Sequence, residues 1–203
     1  MRVSGEIPAQ GLVVCNHLSY IDILVILSVH PATFVAKSEV RRWPFFGLLT
    51  SMAGTIFVER DRRVAISAPL GAMVRTLKAG QPVVLFPEGT SSDGATILPF
   101  RTALLEAASL ARVAVTPVAI DYNIEEGRVA DEICYWRDMV FGSHFWNLLG
   151  KQGLSATLRF GAPQFPTARR KELARALRLD IAQLRSSRLG SELSRQILRP
   201  LTR

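Results

Sequence analysis

Short apolar runs rich in β-branched residues recur along this chain, and the stretches between them carry helical periodicity. The runs fall at 12–15, 33–36, 55–58, 83–86, 113–120 and 156–160, the length of buried strands and too short for buried helices. Between them, 20–29 is short and very apolar, 62–79 is amphipathic and closes at Gly80 with Pro82 beyond, 100–111 is rich in Ala and Leu, and 138–149 is aromatic. Strands alternating with helices predict an α/β fold: a single layered domain with a mostly parallel or mixed central sheet flanked by helices. There is no internal repeat and no Pro/Gly/Ser linker long enough to separate a pair of domains. The division expected is a domain over 1–168 and a basic helical tail over 169–203.

The tail is where the charge lies. The chain has 203 residues, 48% of them hydrophobic, and a net charge of +8; this is enough for one real core. Residues 1–168 hold 15 basic and 14 acidic residues, net +1, whereas 169–203 hold ten basic and three acidic, net +7. Within the tail, 171–184 sets Leu173, Leu177, Ile181 and Leu184 on one helical stripe, with Arg175, Arg178 and Arg185 mainly elsewhere. Such a helix either packs on the sheet or lies on an anionic membrane surface. Nucleic acid is disfavoured, since the tail has no aromatic residue for base stacking and no nucleic-acid module is visible. The longest uncharged run, 43–58, is broken by Pro44, Gly47 and Gly54 and is shorter than the roughly 20 apolar residues of a bilayer span. The first residues lack the features of a secretory signal, so a cytoplasmic setting with Cys15 and Cys134 as reduced thiols is expected.

Three polar constellations follow buried runs, where α/β folds place their chemistry. After 12–15 comes Asn16-His17-Leu18-Ser19-Tyr20-Ile21-Asp22. A carboxylate five residues beyond a histidine can orient its ring, leaving the neutral imidazole to take a proton from a bound hydroxyl. Asn16, Ser19 and Asp22 also read as helix caps with His17 incidental. After 83–86 comes Pro87-Glu88-Gly89-Thr90-Ser91-Ser92, in which Glu88 can bind a substrate hydroxyl and the Gly89 backbone can approach an anion; a solvated Pro-Gly turn fits as well. Glu59-Arg60 ends the run at 55–58. An arginine there suits a phosphate or is paired with Glu59 or Asp61. Cys15 reads as a small core residue rather than a nucleophile, and no His/Cys cluster has metal-ligand spacing.

Taken together, these pieces resemble the lysophospholipid acyltransferase family, whose best-known members are the 1-acylglycerol-3-phosphate acyltransferases. Its four blocks stand in order: His-x4-Asp within NHLSYID, GTIFVER, FPEGTSS, and Val115-Thr116-Pro117-Val118-Ala119-Ile120. Ala36-Lys37-Ser38-Glu39, Pro44-Phe45-Phe46-Gly47 and Pro99-Phe100-Arg101 add smaller likenesses. The resemblance implies the glycerolipid acyltransferase fold and transfer of a fatty acyl group from an acyl carrier protein or coenzyme A thioester to a lysophospholipid hydroxyl. The product implied is phosphatidic acid. In that scheme His17 is the general base and Asp22 its partner. Arg60 holds the acceptor phosphate, with Lys37 or Arg101 as other candidates, while Glu88, Gly89 and Thr90 shape the acceptor site. The developing oxyanion needs donors, expected from backbone amides, and neither metal nor cofactor is required. The work implied is peripheral, at the cytoplasmic face of the inner membrane.

The fit has departures. The family usually has a basic residue where Ser91 stands and often Gly at Ala103, and relatives commonly carry an N-terminal hydrophobic segment where this chain has sixteen residues before His17. The stretch Tyr135-Trp136-Arg137-Asp138 to Phe145-Trp146 looks like that of a bacterial branch that includes acyltransferases for lyso-ornithine lipid, the first alternative acceptor. A non-catalytic lipid or acyl-carrier binding protein of the same fold is the other alternative; it would need neither His17 nor Asp22.

Overall fold

The computed structural model describes residues 1–42, 54–58, 66–166 and 169–197, with side chains omitted for 41–42 and 187–197. Its described strands are β1 (Arg2–Ser4), β2 (Leu12–Cys15), β3 (Thr33–Lys37), β4 (Ile56–Val58), β5 (Val83–Leu85), β6 (Val115–Asn123) and β7 (Ser155–Phe160). They form one sheet in the order β1-β7-β6-β2-β5-β3-β4. β6, β2, β5, β3 and β4 run parallel, while β7 lies antiparallel to β6 and carries β1 parallel to itself. The sheet is therefore mixed and mostly parallel. β2 and β5 are buried along their whole length, as strands covered on both faces must be, and alternation along them sends side chains to two separate cores.

One core gathers Leu12 and Val14 of β2 with Met73 and Leu77 of α2 (Ser67–Lys78), Ala107 and Ala108 of α3 (Glu106–Ala111), and Leu173, Leu177 and Ile181 of α6 (Arg170–Ile197). The other sets Val13 and Cys15 of β2 against Ile26 of α1 (Ile21–Leu27), Val129 of α4 (Val129–Glu132) and Leu148 of α5 (Phe141–Leu149). Each fully buried aliphatic side chain contributes about 1.5–3 kcal/mol. α2 ends where expected: Gly80, at φ 76°, takes the left-handed position after the last turn, and its amide bonds the Leu77 carbonyl.

Several boundaries differ from the sequence reading. The helix expected over 100–111 begins at Glu106, because 99–105 winds as a loop and turn, and that over 138–149 begins at Phe141. β6 continues past 120 to Asn123, where Asp121, Tyr122 and Asn123 pair with Thr157, Ala156 and Ser155 of β7. β1, α4 and the 3-10 turn Ser38–Arg42 carry no periodic apolar signal from which sequence reasoning could place them. The apolar stripe of 171–184 lies against the sheet rather than on a membrane surface. Residues 59–65 and 43–53 fall outside the described residues, and with them Arg60 and the 44–47 likeness.

Candidate active site

β2 and β5 are neighbours, with Val14 opposite Leu85, so the loops leaving their carboxyl ends meet. His17 leaves β2 and its ring stacks on Phe86, which follows β5, with centroids 4.3 Å apart and planes at 20°. Asn16 fixes the loop to the sheet: its side-chain amide donates to the Ile120 carbonyl at 3.0 Å and its oxygen accepts the Ile120 amide at 2.8 Å. Asp22, in the first turn of α1, is fully buried. Its Oδ2 accepts the His17 Nδ1–H at 2.8 Å and the amides of Leu18 and Ser19 at 2.7 and 3.0 Å. Its Oδ1 accepts the Tyr122 hydroxyl at 2.6 Å. With Nδ1–H donated to the carboxylate, Nε2 of His17 is the nitrogen left as an acceptor.

The second loop supports the first. Glu88 is buried, its Oε1 accepting the His17 amide and its Oε2 the Leu98 amide, both at 2.8 Å. Burial pushes its carboxyl above the usual carboxylate value, against the pull of those two amides. The Ser92 amide donates to the His17 carbonyl at 3.0 Å, the Tyr135 amide to the Leu18 carbonyl at 2.9 Å, and the Ser91 hydroxyl to the Tyr135 carbonyl. Ser91 thus ties two loops together. Gly89 has φ 68°, a backbone conformation that strains any residue with a side chain, and a Cβ there would lie 2.8 Å from Arg101 Nε, so the exposed arginine would have to shift.

These loops enclose a cavity of about 320 Å³. Of the residues the sequence proposed for the site, His17, Lys37, Gly89 and Thr90 line the cavity, Glu88 and Asp22 lie behind His17, and Arg101 does not line it. Residues that sequence reasoning named in its motifs without assigning them to the site also line it: Tyr20, Glu39 and Tyr135, with Trp136 and Arg137 of the aromatic segment. Tyr122 was missed too. It continues the buried alternation of Val118 and Ile120, and a tyrosine in such a run needs a partner for its hydroxyl, which was the available signal. Cys15 is buried and its thiol is pushed far up by that burial and by Asp22, so it offers no thiolate. Among the described residues no group of three His, Cys, Asp or Glu could hold a metal ion, and no helix is long and apolar enough to cross a membrane.

Comparison with known proteins yields a consistent set. A family model described as Acyltransferase matches residues 2–121. The chain is 41% identical over 197 residues to the lyso-ornithine lipid O-acyltransferase of Brucella abortus, covering 90% of this chain and 74% of that protein. It is 37% identical over 205 residues to the protein of the same name from Rhizobium meliloti, covering 93% and 70%. The 1-acyl-sn-glycerol-3-phosphate acyltransferase of Neisseria meningitidis is 35% identical over 159 residues, covering 78% of this chain and 62% of that protein. The crystal structure of the 1-acyl-sn-glycerophosphate acyltransferase from Thermotoga maritima aligns with a TM-score of 0.62 at 24% identity, covering 91% and 72%. At that identity the likeness is one of fold.

Proposed function

Given that this chain belongs to the acyltransferase family and is a lysolipid acyltransferase, we propose that it moves the acyl group directly from an acyl carrier protein or coenzyme A thioester to the acceptor hydroxyl, with His17 as general base. The observation that carries this reading is the 2.8 Å contact of His17 Nδ1 with a buried, fully bonded Asp22 beside the cavity. Nε2 takes the proton of the acceptor hydroxyl as its oxygen attacks the thioester carbonyl carbon. The carbon–oxygen bond forms, the carbon–sulfur bond breaks, and the thiolate takes the proton back from the imidazolium. Asp22 holds the ring and stabilises its cationic form throughout. The setting is the cytoplasmic face of the inner membrane, where thioester and lysolipid meet.

For the acceptor, the first assignment is lyso-ornithine lipid. An ornithine head group presents a carboxylate and an ammonium, and the cavity lining has charges of both signs: Lys37 and Arg137 against Glu39. The relatives at 41% and 37% identity bear that acceptor in their names. The second reading, 1-acylglycerol-3-phosphate, draws on the same two cations as phosphate partners and on the Neisseria relative. Thiol release from acyl carrier protein or acyl-coenzyme A, with both lysolipids competing on vesicles and His17→Ala as the blank, tests all of this. Release that depends on lyso-ornithine lipid and on His17 is expected. Release with lysophosphatidate alone moves the acceptor to the second reading, and release undiminished in His17→Ala ends the mechanism.

A further inference from the structure

The aromatic helix beside the cavity exposes large apolar side chains among its polar ones. From Met139 to Gly150 the sequence has no charged residue, whereas a helix facing solvent normally sets charged and polar groups outward. In α5, Phe141, His144 and Leu148 turn towards the protein; the exposed side carries the polar Ser143 and Asn147, yet the large apolar Trp146 and Leu149 beside them are 73% and 60% exposed, and Val140 before the helix is 69% exposed. The helix packs on the wall of the cavity. Tyr20, which lines the cavity, meets Phe141 with ring centroids 5.3 Å apart and bonds His144 Nδ1 through its hydroxyl at 3.0 Å. Trp136 and Arg137 also line the cavity, the guanidinium lying 4.0 Å over the indole.

We infer that this face, Val140, Trp146 and Leu149, is where the enzyme seats on a phospholipid bilayer, shallowly and beside the entrance to its own cavity. The inference rests on the lysolipid acyltransferase reading in one respect: the acceptor's acyl chain is held in a bilayer, so the cavity mouth must come to that surface. A short apolar helix lying in the interface reaches about 5–10 Å into the head-group region, with tryptophan at the boundary and Arg137 at head-group level. A second copy of the chain is a poor occupant. A helix of nine residues is about 14 Å long and about 10 Å wide, far short of the roughly 800 Å² per partner of a stable protein interface.

Co-sedimentation with vesicles of phosphatidylcholine and phosphatidylglycerol, using the full chain, tests this. Trp146→Ser with Leu149→Ser is expected to bind at least about tenfold more weakly, while Trp146→Phe with Leu149→Met stays within about twofold of the wild type. Wild-type binding is expected to survive about 1 M salt, where the screening length is about 3 Å. Turnover of a short-chain lysolipid dissolved as monomers is expected to be unchanged in both variants. Undiminished binding by the Ser variant, or loss of wild-type binding in salt, overturns the inference, the latter by giving the role to arginines. So does a wild-type dimer that becomes monomeric in the Ser variant. Binding through this face by a protein that releases no thiol from any acyl thioester would sustain the docking surface and remove the enzyme reading.

Discussion

Asp22 accepts four hydrogen bonds with its two oxygens while fully buried, and that saturation offsets the cost of taking a carboxylate out of water. It also fixes what single substitutions do. In His17→Ala, Oδ2 keeps the amides of Leu18 and Ser19, so the melting temperature holds while turnover falls about 100-fold or more, the scale of a lost general base. Steady-state kinetics beside thermal melting check both halves. Tyr122→Phe acts mainly on stability. It takes from Oδ1 its 2.6 Å donor and leaves a buried acceptor unpaired, which costs about 1–3 kcal/mol, read from urea unfolding. Because Tyr122 does not line the cavity, kcat falls, by less than in His17→Ala, with KM unchanged. The His17–Asp22 pair was legible in the sequence since only four residues separate its members, whereas Tyr122 comes from another strand, brought to Asp22 by the pairing of β2 with β6.

His144 joins two elements across the same wall. Its Nδ1 accepts the Tyr20 hydroxyl at 3.0 Å and its Nε2–H donates to the Cys134 carbonyl at 3.2 Å, so α5 is tied to the head of α1 and to the segment after α4 by a neutral ring. Burial lowers the imidazole below its usual 6.5, and the proton therefore binds the unfolded chain more readily than the folded one. Stability from this group is complete above about pH 6.5 and is lost as pH falls from there through the folded value. His30, lowered by burial as well, acts with the same sign. Denaturation midpoints between about pH 5 and 8 are expected to decline on the acid side in the wild type, and His144→Gln flattens some of that decline; an equal slope in the variant excludes His144 as a source. The elements themselves were legible to different degrees. The buried strands announced themselves because both faces are covered, which demands apolar runs. β1 is exposed along its length and so has no such run, and α3 starts late because the 99–105 segment that packs Leu104 and Leu105 on the core is not helical.

At the scale of the whole molecule, the basic tail is read differently once its contacts are known. The Arg178 guanidinium donates to the Ile97 carbonyl at 2.9 Å. Arg185 donates to Asp121 at 2.9 Å and to the Gly94 carbonyl at 2.8 Å, while Arg159 shares Asp121 at 2.8 Å. These contacts hold the 94–98 loop, whose Leu98 amide bonds Glu88, which in turn holds the His17 amide. Net charge in the sequence reports none of this, because a count of arginines does not say which carbonyls they face. Leu177 and Ile181 are fully buried in the core that α6 shares with β2; the helix belongs to the domain it covers, so cutting the chain at 168 is expected to abolish folding, and Leu177→Ala to cost about 2–5 kcal/mol. Arg185→Ala is the sharper test of the link from tail to site. Asp121 keeps Arg159, so the loss of stability is partial, and the 94–98 loop loses a tether. The expected result is a lower melting temperature with kcat reduced severalfold and the lysolipid KM unchanged, and with partial recovery in Arg185→Lys. A raised lysolipid KM and unaltered melting would place Arg185 on the substrate or the lipid surface instead, and would make the polybasic tail a membrane element after all.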